Sequence, residues 1–250
     1  VSPWLSYVLL AGVGFVASVI NTVAGGGSFL TLPVLIFVGL PAVEANGTNR
    51  LGVVAQNVGA VWAFHDRRVL DWPLALRAAI PATLASVAGA WLALRTGDRE
   101  FRRLLALLML AITLGTLVAP WLTRRLAPAE HAEKERPAWA LLMFVVAGFY
   151  GGFVQAGVGF LVLAATTLAG LDLVRGNAIK VLVILLVTVA ALGLFAWDGK
   201  VQWGTGLALA VGSIAGGLVG VRLAILKGDK WLRLVVTISI VVFAVLLWLR

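Results

Sequence analysis

Asn21-Thr22-Val23-Ala24-Gly25-Gly26-Gly27-Ser28 interrupts an otherwise oily chain, and Asn46-Gly47-Thr48-Asn49-Arg50 interrupts it again one apolar segment later. Polar, glycine-rich backbone is tolerated at membrane depth only where protein or a water-filled cavity surrounds it, because lipid satisfies no freed amide or carbonyl. The two stretches therefore point to a membrane protein with broken helices, and they are its candidate working site.

The composition agrees. Of 250 residues, 61% are hydrophobic and 12% charged, and the mean hydropathy is +1.02, whereas soluble domains are about half apolar and a quarter charged. At roughly 20 residues per span, most of the chain belongs in the bilayer and none is left for a separate soluble domain. Twenty Lys and Arg stand against eleven Asp and Glu. In a soluble protein that balance would suit nucleic acid. Here the basic residues crowd at segment ends, so they are read as orienting the chain and touching anionic lipid, and no nucleic-acid partner is expected. The absence of cysteine excludes disulfides, thiolate metal sites and cysteine nucleophiles. The first apolar run lacks a basic flank and an Ala-x-Ala cleavage pattern, and is read as a retained span.

Apolar runs fall at about 4–20, 28–40, 51–64, 72–94, 101–121, 138–154, 158–171, 178–197, 203–226 and 231–249. Two of them, 28–40 and 158–171, are too short to span and are expected as broken or re-entrant helices. The charged, proline-flanked stretch 126–137 is read as a linker between an N-terminal membrane half, 1–125, and a C-terminal one, 138–250. A shift of 131 residues aligns Gly26 with Gly157, Gly39 with Gly170, Asn46 with Asn177, Trp72 with Trp203 and Gly97-Asp98 with Gly228-Asp229. Paired Gly, Asn, Trp and Asp at one constant offset point to two homologous repeats. If all five runs of a half cross, the repeats are inverted; if the short run is a re-entrant hairpin, they are parallel. The Lys and Arg count of the loops favours inversion. The expected fold is thus all-α and polytopic, with eight to ten membrane segments.

Gly25-Gly26-Gly27-Ser28 lacks the Gly-Lys-Ser/Thr ending of a nucleotide-binding loop. A glycine loop opening a helix still presents free N–H groups and the positive end of the helix dipole, which suit an anion; the plain alternative is a tight turn. Its counterpart Gln155-Ala156-Gly157-Val158-Gly159 occupies the same place in the second half. At helical spacing, Asn46, Asn49, Val53, Gln56 and Asn57 fall within one broad face and are expected to line one cavity. Arg50 and Lys180 are cations near helix starts, read either as meeting a substrate near a pseudo-symmetry axis or as snorkelling to headgroups. The row Gly212, Gly216, Gly220 and the pair Gly148, Gly152 read as packing seams. Metalloprotease, nucleophile-elbow and intramembrane aspartate patterns are missing, so no catalytic residues and no metal ligands are assigned and an enzyme is not expected.

The order Gly12 to Ile20, Asn21 to Ser28, Leu32-Pro33, Gly39 and Ala45-Asn46-Gly47-Thr48-Asn49-Arg50 resembles the TauE/SafE sulfite exporter family. Gly148 to Gly159, Gly170 and Gly176-Asn177-Ala178-Ile179-Lys180 fit the same resemblance in the second half. It implies transport of small sulfur-containing or organic anions, such as sulfite, thiosulfate or sulfonates, across the bacterial inner membrane, without a tightly held cofactor.

The sequence thus leads to a secondary transporter whose small anionic substrate meets Asn21, Thr22, Gly25, Gly26, Gly27, Ser28, Asn46, Thr48, Asn49, Arg50, Gln155, Gly157, Gly159, Asn177 and Lys180. With no ATP-binding motif, a proton or ion gradient is the natural energy source. An anion channel and a membrane scaffold are the rivals, and the substrate, direction and oligomeric state stay open.

Overall fold

In the computed structural model the described residues are 3–108, 111 and 138–248, with side chains described for 4–108, 111 and 141–227. The linker expected at 126–137 and most of the run 101–121 lie outside them. Among the described residues there are helices and no strands. They are α1 (Pro3–Val23), α2 (Ser28–Phe37), α3 (Ala42–Asp66), α4 (Trp72–Arg95) and a stretch α5 at 98–108, then α6 (Ala138–Phe153), α7 (Val158–Leu168), α8 (Leu173–Trp197) and α9 (Trp203–Trp248).

Local chemistry sets the starts. Asp71 caps α4, accepting from Leu74 N at 3.0 Å, with Pro73 in the first turn where its missing N–H costs nothing. Asp172 caps α8, accepting from Arg175 N at 2.8 Å. Helices α2 and α7 open instead on Gly27 and Gly157, with no side-chain cap.

Four helical segments are long and apolar enough to cross a membrane: Trp4–Val23, Trp72–Arg95, Leu173–Trp197 and Trp203–Lys227. Helix α3 has the length, 25 residues, but its buried Asn, Gln and Arg dilute the apolar character. Helices α2 and α7, of 10 and 11 residues, reach only about 15 Å at 1.5 Å per residue, half a bilayer core. The chain departs from the sequence expectation at the end of α9. A turn at Gly228-Asp229 would mirror the one at Gly97-Asp98, yet the helix runs on unbroken through 46 residues. A single glycine costs a helix only about 1 kcal/mol, and no proline follows to stop it.

Packing registers give the helix directions. On α1 and α9, Ala11 meets Gly212, Phe15 meets Gly216 and Thr22 meets Gly220, so the two run parallel. On α3 and α9, Thr48 meets Gly206 and Gln56 meets Gly217, again parallel. On α4 and α6, Ala82 meets Gly148 and Ser86 meets Gly152. Helix α8 follows α4, with Ser86 Oγ donating to Val187 O at 3.4 Å. The N-terminal part of α3 instead meets the C-terminal end of α8, where Gly47 and Arg50 pack on Phe195, so those two are antiparallel. Hence α1, α3 and α9 run one way and α4, α6 and α8 the other. The glycine rows are the seams at which backbones approach, as expected of small residues in membranes.

Helix bounds recur at the 131-residue spacing. Ala42–Asp66 becomes Leu173–Trp197, and the starts of α4 and α9 are Trp72 and Trp203. The connecting turns recur as well. Left-handed residues stand at Gly39 and Gly170 and at Arg68 and Gly199, and Leu40 N→Leu35 O at 3.2 Å is matched by Leu171 N→Thr166 O at 3.1 Å. Leu, Val, Ile and Trp side chains point outward, among them Trp4, Leu84 and Trp197, the apolar surface lipid requires. The buried core falls into two clusters that pack around α3 and α8.

Candidate functional site

Two helix breaks meet at the centre. The chain leaves α1 through Gly25, at φ +96°, and enters α7 through Gly157, at φ +76°. Both lie in the left-handed region that side chains with a Cβ disfavour. The breaks touch through backbone: a Cβ on Gly25 would collide with Gly159, and one on Gly159 with Gly25. Behind the contact, Phe29 N and Phe160 N donate to Gly26 O and Gly157 O, each at 3.0 Å, tightening the first turns of α2 and α7.

A helix that stops inside a bilayer leaves its last carbonyls without partners. Here each half satisfies the other. Lys180, on α8, donates to Asn21 O at 2.9 Å and Thr22 O at 2.8 Å at the end of α1. It also donates to Asn177 Oδ1 at 2.6 Å, while Asn177 Nδ2 reaches Val23 O at 3.3 Å. On the other side, Arg50 of α3 donates to Gly151 O at 3.1 Å and Gly152 O at 2.6 Å at the end of α6, and to Gln155 Oε1 at 3.0 Å. Asn46 Nδ2 donates to Phe153 O at 2.9 Å and its Oδ1 accepts from Gln155 N at 3.2 Å. The guanidinium lies over the Phe195 ring, 4.7 Å from its centroid, and Arg50 Nε has no partner.

Both cations are buried, and among the described residues no Asp or Glu is. A helix C-terminus carries about half a negative charge and an N-terminus about half a positive one. Two cations, two C-termini and the two N-termini of α2 and α7 therefore leave the junction positive by about two charges.

Beside the junction, α1, α2, α3 and α9 line a cavity of about 10 Å³, with Asn21, Ser28, Thr31, Asn49, Gln56 and Ser213 among its walls. Its side chains are cross-linked: Asn21 Nδ2 donates to Gln56 Oε1 at 3.1 Å, Asn49 Nδ2 to Ser28 Oγ at 3.1 Å, and Thr31 Oγ1 to Asn49 Oδ1 at 2.6 Å. That volume holds about one water. Shifted by 131 residues, this lining becomes Gly152, Gly159, Val162, Lys180, Val187 and, for Ser213, Ala82. Apart from Lys180, the chamber's polar lining thus has no polar counterpart at the matching positions.

Of the residues singled out from sequence, Asn21, Thr22, Asn177 and Lys180 gather at the end of α1, and Asn46, Arg50 and Gln155 at the end of α6. Gly25, Gly26, Gly157 and Gly159 form the breaks, and Gly27, Ser28 and Asn49 line the chamber. Thr48 is directed elsewhere, accepting from Gln202 N at 2.9 Å. The face expected to carry Asn46 to Asn57 divides in two. Asn49, Val53 and Gln56 line the chamber, while Asn46 and Arg50 turn to α6 and Asn57 Nδ2 bonds its own helix at Val53 O, 2.8 Å away. A spacing of four places Asn46 and Arg50 on one side, and a spacing of seven places Asn49 and Gln56 on another. Thr31 and Thr188, the latter 3.4 Å from Gln155 Oε1, were not singled out. A hydroxyl inside an apolar helix can satisfy itself on its own backbone, so it gives little signal.

A multi-pass helical membrane protein with paired central breaks is the class these features define. The family model described as Sulfite exporter TauE/SafE matches residues 10–247, and the chain belongs to that family. It is 32% identical to the "Probable membrane transporter protein" of Haemophilus influenzae, over 92% of this chain and 89% of that one. It is likewise 32% identical to "Probable membrane transporter protein YfcA" of Escherichia coli K12, over 99% and 91%. With "Probable membrane transporter protein ORF9" of Sinorhizobium sp it shares 29%, over 90% and 86%. No solved structure matches the chain.

Proposed function

We propose that this protein is a secondary transporter of small sulfur-containing or organic anions in the bacterial inner membrane, built as an inverted repeat around the junction of its two breaks. The observation that carries the reading is the pair of buried cations, Arg50 and Lys180, at the ends of two broken helices, with no buried carboxylate among the described residues. An anion entering the junction would relieve that uncompensated charge. The family description and the relatives' names support transport, and the anion class rests on this electrostatics together with the family's description. Recurrent helix bounds with reversed helix directions support the inverted repeat, which is the usual frame for alternating access. The clustering of polar side chains around one small chamber of about 10 Å³ favours a carrier over a channel, which needs a continuous polar passage.

The test is counterflow in proteoliposomes loaded with sulfite, thiosulfate, sulfoacetate or short carboxylates. Saturable exchange of at least one of these, lost on Asn46→Leu with Asn177→Leu in a chain that still purifies folded, is the expected result. Absence of flux for every anion, or flux that never saturates, would overturn the reading.

A further inference from the structure

The two ends of the molecule are chemically related but not in the same condition. At the end where α3 runs into α4 and α7 into α8 lies a cavity of about 550 Å³, bordered by Val69, Asp71, Val174, Arg175 and Ile179 among others. Shifted by 131 residues, these five positions become Lys200, Gln202, Val43, Glu44 and Thr48 at the opposite end, and there contacts bridge them. Lys200 Nζ lies 3.5 Å from Glu44 Oε1. Gln202 N donates to Thr48 Oγ1 at 2.9 Å and Gln202 Nε2 to Glu44 Oε2 at 3.5 Å. Val43 N donates to Asp98 Oδ1 at 3.2 Å, and Gly47 packs against the Lys200 carbonyl.

We infer that the structure is one of two states, open at the Asp71 and Arg175 end, and that these two residues are the gate which closes that end when the Glu44–Lys200 gate opens. The position equivalent to the Glu44–Gln202 contact holds Arg175 and Asp71, two side chains of opposite charge facing one cavity. Arg175 is now paired with Asp172, 3.5 Å away in an exposed contact, the kind of pair worth less than about 1 kcal/mol and easily exchanged. An inverted repeat supplies the physical reason for two states: when each half adopts the conformation of the other, the closed end opens and the open end closes. The inference rests on the inverted-repeat reading and not on the identity of the anion.

The chain has no cysteine, so single introduced thiols report without background. Val174→Cys and Val43→Cys are equivalent positions, the first half-buried beside the cavity and the second buried. In the purified full-length chain in detergent, Val174→Cys should react with a water-soluble maleimide about tenfold faster than Val43→Cys. In a Glu44→Gln, Lys200→Gln background, Val43→Cys should gain about fivefold while Val174→Cys slows, as loss of a half-exposed ion pair allows. A separate Asp71→Cys, Arg175→Cys pair should be joined by a short bifunctional thiol reagent. Unchanged labelling of Val43→Cys, a gain at Val43→Cys with no slowing at Val174→Cys, or failure of the pair to join would each overturn the inference. None of these readouts involves substrate, so missing anion flux with reciprocal labelling would sink the proposed function and leave the gate.

Discussion

Lys180 and Arg50 are both buried cations, yet their donor accounts differ. An ammonium has three N–H groups, and Lys180 commits all three, to Asn21 O, Thr22 O and Asn177 Oδ1. A guanidinium has five; three of Arg50's contacts are to protein and Nε is without one. Lys180 therefore acts as a lock on α1, whereas Arg50 keeps free donors, which under the proposed function an anion would use. Lys180→Met should strand two buried carbonyls and cost about 3 kcal/mol or more, read as a lower melting temperature in detergent. Arg50→Lys keeps the charge and loses the fork, and should weaken the anion-dependent rise in melting temperature by about tenfold in apparent affinity. Unaltered affinity in that variant would refute the proposed substrate-facing role of Arg50. The sequence marks both cations as costly in lipid, but it cannot show the helix-end carbonyls they meet, which lie more than 100 residues away. The constant offset aligns Lys180 with Asn49, so the parallel capping roles of Lys180 and Arg50 are visible only in three dimensions.

The helix breaks were legible as elements because glycine and asparagine stand where an apolar run should continue. Their mutual contact was not, since nothing in a linear pattern says that Gly25 faces Gly159. Gly25→Ala meets two penalties, a left-handed φ worth about 1 to 2 kcal/mol and a collision with the Gly159 backbone. It should lower the melting temperature clearly and abolish counterflow, whereas Gly12→Ala, with nothing within 4 Å of the new Cβ, should match the wild type in both. The end of α9 shows the converse limit. Gly228-Asp229 matches Gly97-Asp98 in letters, but a turn also needs packing that favours it, and the helix continues.

For the whole molecule, the reversed directions of α3 and α8 make a prediction about sidedness. Arg68→Cys and Gly199→Cys occupy equivalent turns, so in sealed vesicles an impermeant thiol reagent should reach them from opposite faces; labelling of both from one face would mean a parallel repeat. Composition already pointed to a helical membrane protein, and loop charge to an expectation of opposed halves that the vesicle labelling tests. What they could not reveal is that the polar chamber occurs once and not twice, because Asn21, Ser28, Thr31 and Gln56 have Gly or Val at the matching positions. The crosswise bonds also bear on how the chain is made. The carbonyls ending α1 wait for Lys180, 158 and 159 residues downstream, which at about 5–20 residues per second is roughly 8 to 30 seconds of synthesis. During that interval the nascent first half has no internal donor for its severed helix, so the insertion machinery or a trapped water must stand in until α8 emerges and relieves it.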